Sequence, residues 1–264
     1  NARITKKSFQ KWSNVLSFSK KIFNEFDLCL GQNNKTCNYL KILGAKNIKK
    51  IGNLKFSQST SELKDKSNLK IKKLFKKKKI VFTAISTHKG EELLCAKVHN
   101  NLKKKYKNIV SVIVPRHIHR ADEIKEELNL NGLKVHFHSS NNTIRNDTDI
   151  YLVDTFGETK SFLKLSKVAF MGKSIHGYGG QNPIEAARLG NRIIHGPNIE
   201  NFIEVYHFLK KHGISTKIKT YKDLEKLVVK FNRKKNYSNQ IIKKLAYTGK
   251  QILLNNEKEI NKYF

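Results

Sequence analysis

GYGGQNPIEAARLGNRIIHGP, Gly177 to Pro197, reads as a glycine loop, a helix and a short strand. Gly179 and Gly180 free the backbone, Asn182 has a capping side chain, Pro183 suits the first helical position and Glu185 falls in the first turn. We therefore expect a helix starting at Asn182. A loop of this kind aims backbone N–H groups and the positive end of a helix dipole at one spot, which is how a protein holds phosphate without a metal. Asn-x-x-Glu is also the pattern of a plain capping box, with the glycines as a turn. At this point both readings stand.

Outward from that stretch the pattern is regular from Lys79 onward. It predicts strand IVFTAIS, loop STHKGEE, a helix to about Tyr106, strand IVSVIVP, loop RHIHR, a helix over Ala121 to Leu128 and strand KVHFHS. Strand DIYLVD, loop TFGE, helix SFLKLS and strand KVAFMG follow, then the Gly177 loop with its helix, strand RIIHG, and helices to the C-terminus. Strands alternating with helices imply an α/β fold with a doubly wound, Rossmann-like parallel sheet, whose ligands collect beyond the C-terminal strand ends. The last helices, from Tyr221, carry apolar faces for docking.

The front of the chain differs. Phe9, Trp12, Leu16, Ile22 and Phe23 recur at roughly helical spacing, FDLCLGQ is a short strand, Asn33 to Leu43 a helix stopped by Gly44, and Ile48 to Phe56 a strand. These look like the last β-α units of a domain that starts earlier. Residues 57–78 are polar and Lys-rich, the mark of a linker with a solvated helix. The chain opens on Asn1 with no signal-like segment, so we expect it to begin inside a longer protein.

With 264 residues the chain can bury a core and hold one large or two small domains. The formal net charge is +32, yet 46 of the 53 basic residues are Lys, scattered along every segment. Bases are read mainly by Arg, so this composition gives only weak support to a nucleic-acid-binding protein. A solvated surface biased toward Lys explains it, and such a surface still attracts anionic membranes and phosphorylated substrates in a salt-sensitive way. Three cysteines without a CxxC pair fit a reducing compartment, and no apolar run approaches the length of a membrane span.

Three loops should meet at the strand ends. Arg116, directly after an apolar strand, can grip phosphate with two prongs or stack on a base; its plain reading is a surface Arg. Glu158, after Gly157, can accept hydrogen bonds from a base or ribose, or merely favour a helix dipole; Glu185 is equally ambiguous. Two acids around one phosphate pocket are costly without hydroxyl or amine donors, so a ribose and a base are reasonable occupants. Ser86-Thr87-His88 can touch a transferred group or only cap a helix. Lys55 sits at the end of GNLKF, where it can neutralise a departing phosphate. The pairs His117/His119 and His136/His138 have a spacing that can clamp a metal, but they lack Cys or carboxylate partners at ligand spacing, and we expect no metal. No Ser-His-Asp order, Walker loop or GxGxxG is found.

NARITKKSF, FDLCLGQ, LGAKNIKKIGNLKF, AISTHKGEE, VPRHIHR, VDTFGE and GGQNPIEAARLG, in that order over about 200 residues, resemble the bacterial 3-deoxy-D-manno-octulosonic acid (Kdo) transferases. These are GT-B glycosyltransferases that move Kdo from CMP-Kdo to the lipid A precursor in lipopolysaccharide biosynthesis. The resemblance implies CMP contacts at Pro115 and Arg116, at Phe156, Gly157 and Glu158, and at Asn182, Pro183, Ile184 and Glu185. It implies a transition-state-stabilising role for Lys55 and a donor-sugar loop of Ser86, Thr87, His88, Gly179, Gly180 and Gln181. It divides the chain into the end of an acceptor domain (1–56), a linker (57–78), a CMP-sugar-binding domain (79–245) and a C-terminal helix (246–264). Its implied partners are CMP-Kdo, a lipid A precursor and an anionic membrane surface, with no cofactor and no nucleic acid, at the cytoplasmic face of the inner membrane. Ile118, His119 and the loop Lys173 to Tyr178 depart from the family's pattern, which touches the sugar contacts more than CMP. The family's general base has no counterpart here, so the chain alone should bind CMP weakly and transfer no sugar. The alternatives are another GT-B enzyme, a UDP-sugar transferase or epimerase, and a basic nucleic-acid-binding protein.

Overall fold

The computed structural model describes residues 1–57, 69–234 and 239–263. The chain forms two compact units, Asn1–Ser59 with Lys243–Phe264, and Thr60–Ile242.

In the first unit, α1 (Lys6–Ser13) and α2 (Leu16–Asn24) lead to β1 (Cys29–Gly31), α3 (Asn34–Ile42) and β2 (Ile48–Lys50). Asn33 caps α3 by accepting the Thr36 N–H at 2.7 Å. β1 and β2 pair in parallel with Cys29 opposite Ile48, and Ala2 bridges to Gly31. The expected strand from Ile48 to Phe56 stops at Lys50, and Leu54–Ser57 turns into a 3-10 helix instead. Two residues cause the stop: Gly52 takes a φ of +111°, and the Asn53 side chain accepts the Lys55 N–H at 3.0 Å, an Asx-type turn that competes with extension.

The second unit runs α4 (Leu69–Lys76), β3 (Ile80–Thr87), α5 (Glu91–Lys103), β4 (Ile109–Pro115), α6 (Ala121–Leu130), β5 (Val135–Phe137), β6 (Ile150–Leu152), α7 (Thr159–Leu165), β7 (Val168–Met171), α8 (Ile184–Arg188), β8 (Arg192–His195), α9 (Ile203–Lys211), β9 (Ser215–Lys217) and α10 (Tyr221–Arg233). Its seven strands form one parallel sheet in the order β5-β6-β4-β3-β7-β8-β9. This is the doubly wound sheet expected from the alternation. Phe82, Ile113, Ile150, Leu152 and Phe170 are fully buried in it, with Ile124 and Leu128 from α6, because helices cover a parallel sheet on both faces. Each such side chain contributes about 1.5–3 kcal/mol.

Three features differ from expectation. Within the expected linker, residues 58–68 lie outside the described residues, but α4 is not a solvated helix: Ile71 and Phe75 are buried, and Phe75 meets Tyr151 edge-on at 5.8 Å. Its many Lys residues hide an amphipathic face. β9, expected as part of a helical tail, adds a strand beside β8; Ser-Thr-Lys carries no apolar run to announce it. The last helix, α11 (Asn239–Ile260), packs from Lys243 onward in the first unit, where a Cβ on Gly249 would come within 2.0 Å of the Phe56 carbonyl oxygen.

Candidate functional site

The chain leaves β3 for β4 on one side and, after β5 and β6, returns to lay β7 on the other. The β3–β7 boundary is therefore the switch point of the sheet, where loops part above the strand ends and leave a crevice. Four neighbouring strands, β6-β4-β3-β7, carry the predicted loops: Phe156–Glu158, Pro115–Arg116, Ser86–His88 and Gly179–Glu185.

At the switch point the backbone is strained on both sides. The register between β3 and β4 slips between Ile85 and Thr87, and Ser86 in this bulge has a φ of +53°. Lys173, just past β7, has a φ of +55°. Residues other than glycine hold such angles only where the surroundings over-determine them. The restraint is Glu91, the first residue of α5, wholly buried. Its carboxylate accepts the N–H of His88 at 3.0 Å, Lys173 at 2.7 Å, Ser174 at 3.0 Å and Ile175 at 3.0 Å. One side chain thus fastens the β3 loop to the β7 loop.

The glycine loop is tied from its other side. The Gly179 N–H donates to Glu200 at 2.8 Å, and Asn198 donates to the carbonyls of Ile175 and Gly177. Gly179 and Gly180 take φ of +98° and +66°, and a Cβ would lie 2.2 Å from the Asn201 side chain and 2.7 Å from the Asn198 carbonyl, so only glycine fits. The expectation that this loop aims unpaired N–H groups at a ligand is therefore corrected in part. The amides of Lys173, Ser174, Ile175 and Gly179 are taken by the protein's own carboxylates. The helix also begins later than Asn182: α8 starts at Ile184 with Pro183 at its cap, because the Asn182 side chain accepts the Ile184 N–H at 3.2 Å.

Beside this, the end of β4 brings its own chemistry. The Arg116 N–H donates to the Thr87 carbonyl at 3.0 Å, and its side chain is exposed. Arg120, four residues beyond, pairs with buried Glu92 at 3.3 Å and with Glu123 at 3.2 Å, pinning the loop to α5. Burial pushes the Glu92 carboxyl up, against the pull of its own hydrogen bonds and of Arg120. Across β6, Phe156 is 80% exposed, the opposite of what burial would do to a large apolar ring, and Glu158 caps α7 by position without a side-chain cap bond. Lys160 pairs with Glu185 at 3.3 Å, which brings the β6 and β7 loops together. Lys55 lies in the first unit, in the turn that follows Asn53.

Residues 1–58 match a family model described as 3-Deoxy-D-manno-octulosonic-acid transferase (kdotransferase). The chain is 30% identical over 225 residues to the 3-deoxy-D-manno-octulosonic acid transferase of Rickettsia prowazekii, covering 85% of this chain and 48% of that relative. It is 33% identical over 216 residues to the probable mitochondrial 3-deoxy-D-manno-octulosonic acid transferase of Arabidopsis thaliana, covering 76% and 47%. Over most of its length the chain is similar to Kdo transferases. It spans about half the length of the curated relatives it matches. Among solved structures, the C-terminal CMP-Kdo binding domain of WaaA from Acinetobacter baumannii matches with a TM-score of 0.57 at 24% identity, covering 68% of this chain and 91% of that one. A trehalose-6-phosphate synthase, OtsA, matches with a TM-score of 0.50 at 8% identity, covering 95% and 60%. These two likenesses bear on the fold, which is the Rossmann-like α/β fold of GT-B glycosyltransferases.

Two constellations were invisible in the sequence. Ser111, His99 and Asp149 meet although they follow no triad order: His99 Nδ1 lies 2.8 Å from the Ser111 hydroxyl and Nε2 3.2 Å from Asp149. All three are buried near the N-terminal ends of β4 and β6, away from the loops at the C-terminal strand ends, so the group fastens α5 to the sheet. Burial disfavours the Asp149 anion, yet hydrogen bonds from His99, Lys103 and the Lys134 amide hold its carboxyl well below the usual range. The second is the Glu91 clamp. Its only signal was a glutamate straight after Gly90 in a strand-to-helix turn, which reads equally as a first-turn acid. His136 packs tilted against Tyr151 and His138 meets it edge-on in the aromatic cluster, His138 with a 2.9 Å hydrogen bond to its hydroxyl. A cavity of about 480 Å³ in the first unit, lined by Phe23, Phe26, Leu28 and Tyr263 among others, is apolar and holds none of the predicted site residues.

Proposed function

We propose that this chain is the donor-binding part of a glycosyltransferase that transfers Kdo from CMP-Kdo to a lipid A precursor, releasing CMP, in lipopolysaccharide biosynthesis. The observation that carries this reading is the row of loops beside the switch point, with Phe156–Glu158, Arg116 and Asn182–Glu185 after β6, β4 and β7 of one sheet and the Ser86–His88 loop of β3 between the last two. Arg116 supplies a two-pronged cation for the phosphate, and Phe156 a free ring face for the base. Glu158 offers a carboxylate to the amine of cytosine or to ribose hydroxyls, while Asn182, Pro183, Ile184 and Glu185 wall the nucleotide from the β7 side. Pro115 fixes the chain direction out of β4. Ser86, Thr87, His88, Gly179, Gly180 and Gln181 border the space left for the sugar. In a displacement at the sugar, the developing negative charge on the departing CMP phosphate is what cations must stabilise; we assign this to Arg116. The proton of the acceptor hydroxyl needs a base, and we assign none in this chain.

Calorimetric titration tests the reading. CMP should bind more tightly than UMP or UDP, since the pocket is read as taking one phosphate and a cytosine. Arg116→Ala should weaken CMP by about 10- to 100-fold, the range of a charge-assisted hydrogen bond. Equal affinity for UDP, or no effect of Arg116→Ala, refutes it.

We assign the membrane side to the first unit. Val15, Leu16 and Phe18 are exposed at the α1–α2 turn beside exposed Lys11, Lys20 and Lys21, an apolar tip in a basic surround. No helix among the described residues is long and apolar enough to cross a membrane. Sedimentation with phosphatidylglycerol vesicles should retain the chain at low salt, with Phe18→Asp reducing the bound fraction severalfold; equal retention on neutral phosphatidylcholine vesicles would remove the assignment.

A further inference from the structure

A parallel sheet runs all its strands one way, so the segments that enter the strands of the second unit gather at one end and those that leave gather at the other, around the crevice. The entering end holds the lysine run 76–79 before β3, the run 103–107 before β4, lysine but for Tyr106, and Lys134, Lys167, Lys210 and Lys211 before later strands. The end of α10 joins them, since the Asn232 side chain accepts the Val81 N–H at 3.3 Å and brings Arg233 and Lys234 to this side. Among the described residues the carboxylates in these segments are Asp147 and Asp149, ahead of β6, and both are engaged: Asp149 by Lys103 at 2.6 Å and by His99, Asp147 by Arg145 at 3.0 Å. No carboxylate among the described residues pairs with Lys76, Lys77, Lys79, Lys104, Lys105 or Lys107, all exposed. The crevice end is different. There Lys89 pairs with Glu123, Arg120 with Glu92 and Lys160 with Glu185. His88, with the His117 ring edge-on to it at 5.5 Å, is held below the ordinary histidine range by burial and adds no charge at neutral pH. A bias toward Lys would coat both ends alike, so composition by itself does not produce this polarity.

The basic end also carries a bare apolar side chain. Leu130, the last residue of α6, is 88% exposed. Asn100 on α5 donates to the Asn131 carbonyl at 3.0 Å, which sets Leu130 beside the helix end that carries Lys104. An apolar tip among long-stemmed cations suits an anionic lipid surface, where the tip enters the acyl boundary and the ammonium groups reach the phosphates. A nucleic acid suits it less. The exposed arginines here are engaged, Arg145 by Asp147 and Arg233 by the Tyr106 hydroxyl at 3.0 Å, and α5, α9 and α10 present their C-terminal, negative ends, which disfavours phosphate seated on the backbone. We propose that the strand-entry end of the second unit docks on an anionic bilayer, with Leu130 inserted and the lysine runs 76–79 and 103–107 lying on the lipid phosphates. This contact is additional to the tip of the first unit assigned above, lies at the far end of the sheet from the crevice, and does not depend on the CMP reading.

The full chain carrying Phe18→Asp, which disables the first-unit tip, is sedimented with phosphatidylcholine vesicles that contain either no phosphatidylglycerol or about one third of it. It should bind the anionic vesicles at low salt and leave them at high salt. Replacing Lys104, Lys105 and Lys107 together by Gln should lower the partition coefficient about 30-fold, and Leu130→Ser about tenfold. Replacing Lys217, Lys219 and Lys222 by Gln removes the same charge at the crevice end and should change it by less than about twofold. Equal losses from the two triple variants, or retention that needs no phosphatidylglycerol, overturn the proposal. So does a first triple that releases a DNA duplex but not the vesicles. Amine acetylation of the unaltered chain gives a reading free of any variant's folding: anionic vesicles should shield Lys104, Lys105 and Lys107 severalfold while Lys217, Lys219 and Lys222 react as before, and equal labelling at the two ends overturns the docking. The first triple should bind CMP with the parental affinity. A parental chain that binds no CMP refutes the donor reading and leaves this one standing.

Discussion

Glu91→Ala should lower the unfolding free energy by about 3–5 kcal/mol and weaken CMP binding by more than about tenfold. The carboxylate is fully buried and receives backbone amides from His88, Lys173, Ser174 and Ile175, with His176 at the margin at 3.5 Å. Alanine removes the acceptor and leaves several amides unpaired, each costing about 1–3 kcal/mol until the loop opens to water. Opening is the expected outcome, because Ser86 and Lys173 are strained and relax once the restraint is gone. Glu91→Gln should fall between parent and alanine, since one carbonyl oxygen remains where a carboxylate offered two. Denaturant unfolding gives the stability, calorimetry the affinity, and amide exchange at Lys173–His176 reports the loop itself. An alanine variant with parental stability and protected loop amides would refute the clamp.

Gly172→Ala should be nearly as damaging, through packing rather than polarity. A Cβ there would stand 2.2 Å from the Ser86 carbonyl oxygen, 2.5 Å from its carbon and 2.6 Å from the Thr87 Cα. These are backbone atoms of a central strand, and the Gly172 N–H already donates to Ile85 at 2.8 Å, so nothing can swing aside. The sheet must part at the switch point, at a cost of about 2–4 kcal/mol, and His88 and Arg116 lose their spacing. Gly132→Ala is the control: a Cβ at Gly132 meets nothing within 4 Å, and only its φ of +73° resists, worth about 1 kcal/mol. Equal melting shifts for the two alanines would show that the contact at Ser86 is not needed.

Glu91 and Gly172 also mark where reading the sequence stopped. IVSVIVP was legible as β4 to the residue because a strand buried on both faces is apolar at nearly every position, Ser111 being the exception, and that leaves a mark on composition. Asn33 and Gly44 bracketed α3 for an equally local reason, since a cap and a left-handed stop act within a few residues. β9 and α4 were misread because their signals are weak locally: three polar residues in one case, a Lys-rich helix with two buried anchors in the other.

The candidate site divides along the same line. Arg116, Phe156–Glu158 and Asn182–Glu185 were picked out as residue types at strand ends, and the order of strands puts those ends side by side. Which loop amides remain for a ligand was not legible, for their partners are Glu91, about 80 positions upstream of the loop, and Glu200, 21 positions downstream of Gly179. The sequence alone determined most of the periodic elements, the parallel sheet and which loops lie at its strand ends, because propensity, capping and burial act between near neighbours. Only the tertiary structure decided that a buried carboxylate fills the loop's amide nest and that histidines from two loops face each other, because hydrogen bonds and charge act through space, whatever the distance along the chain.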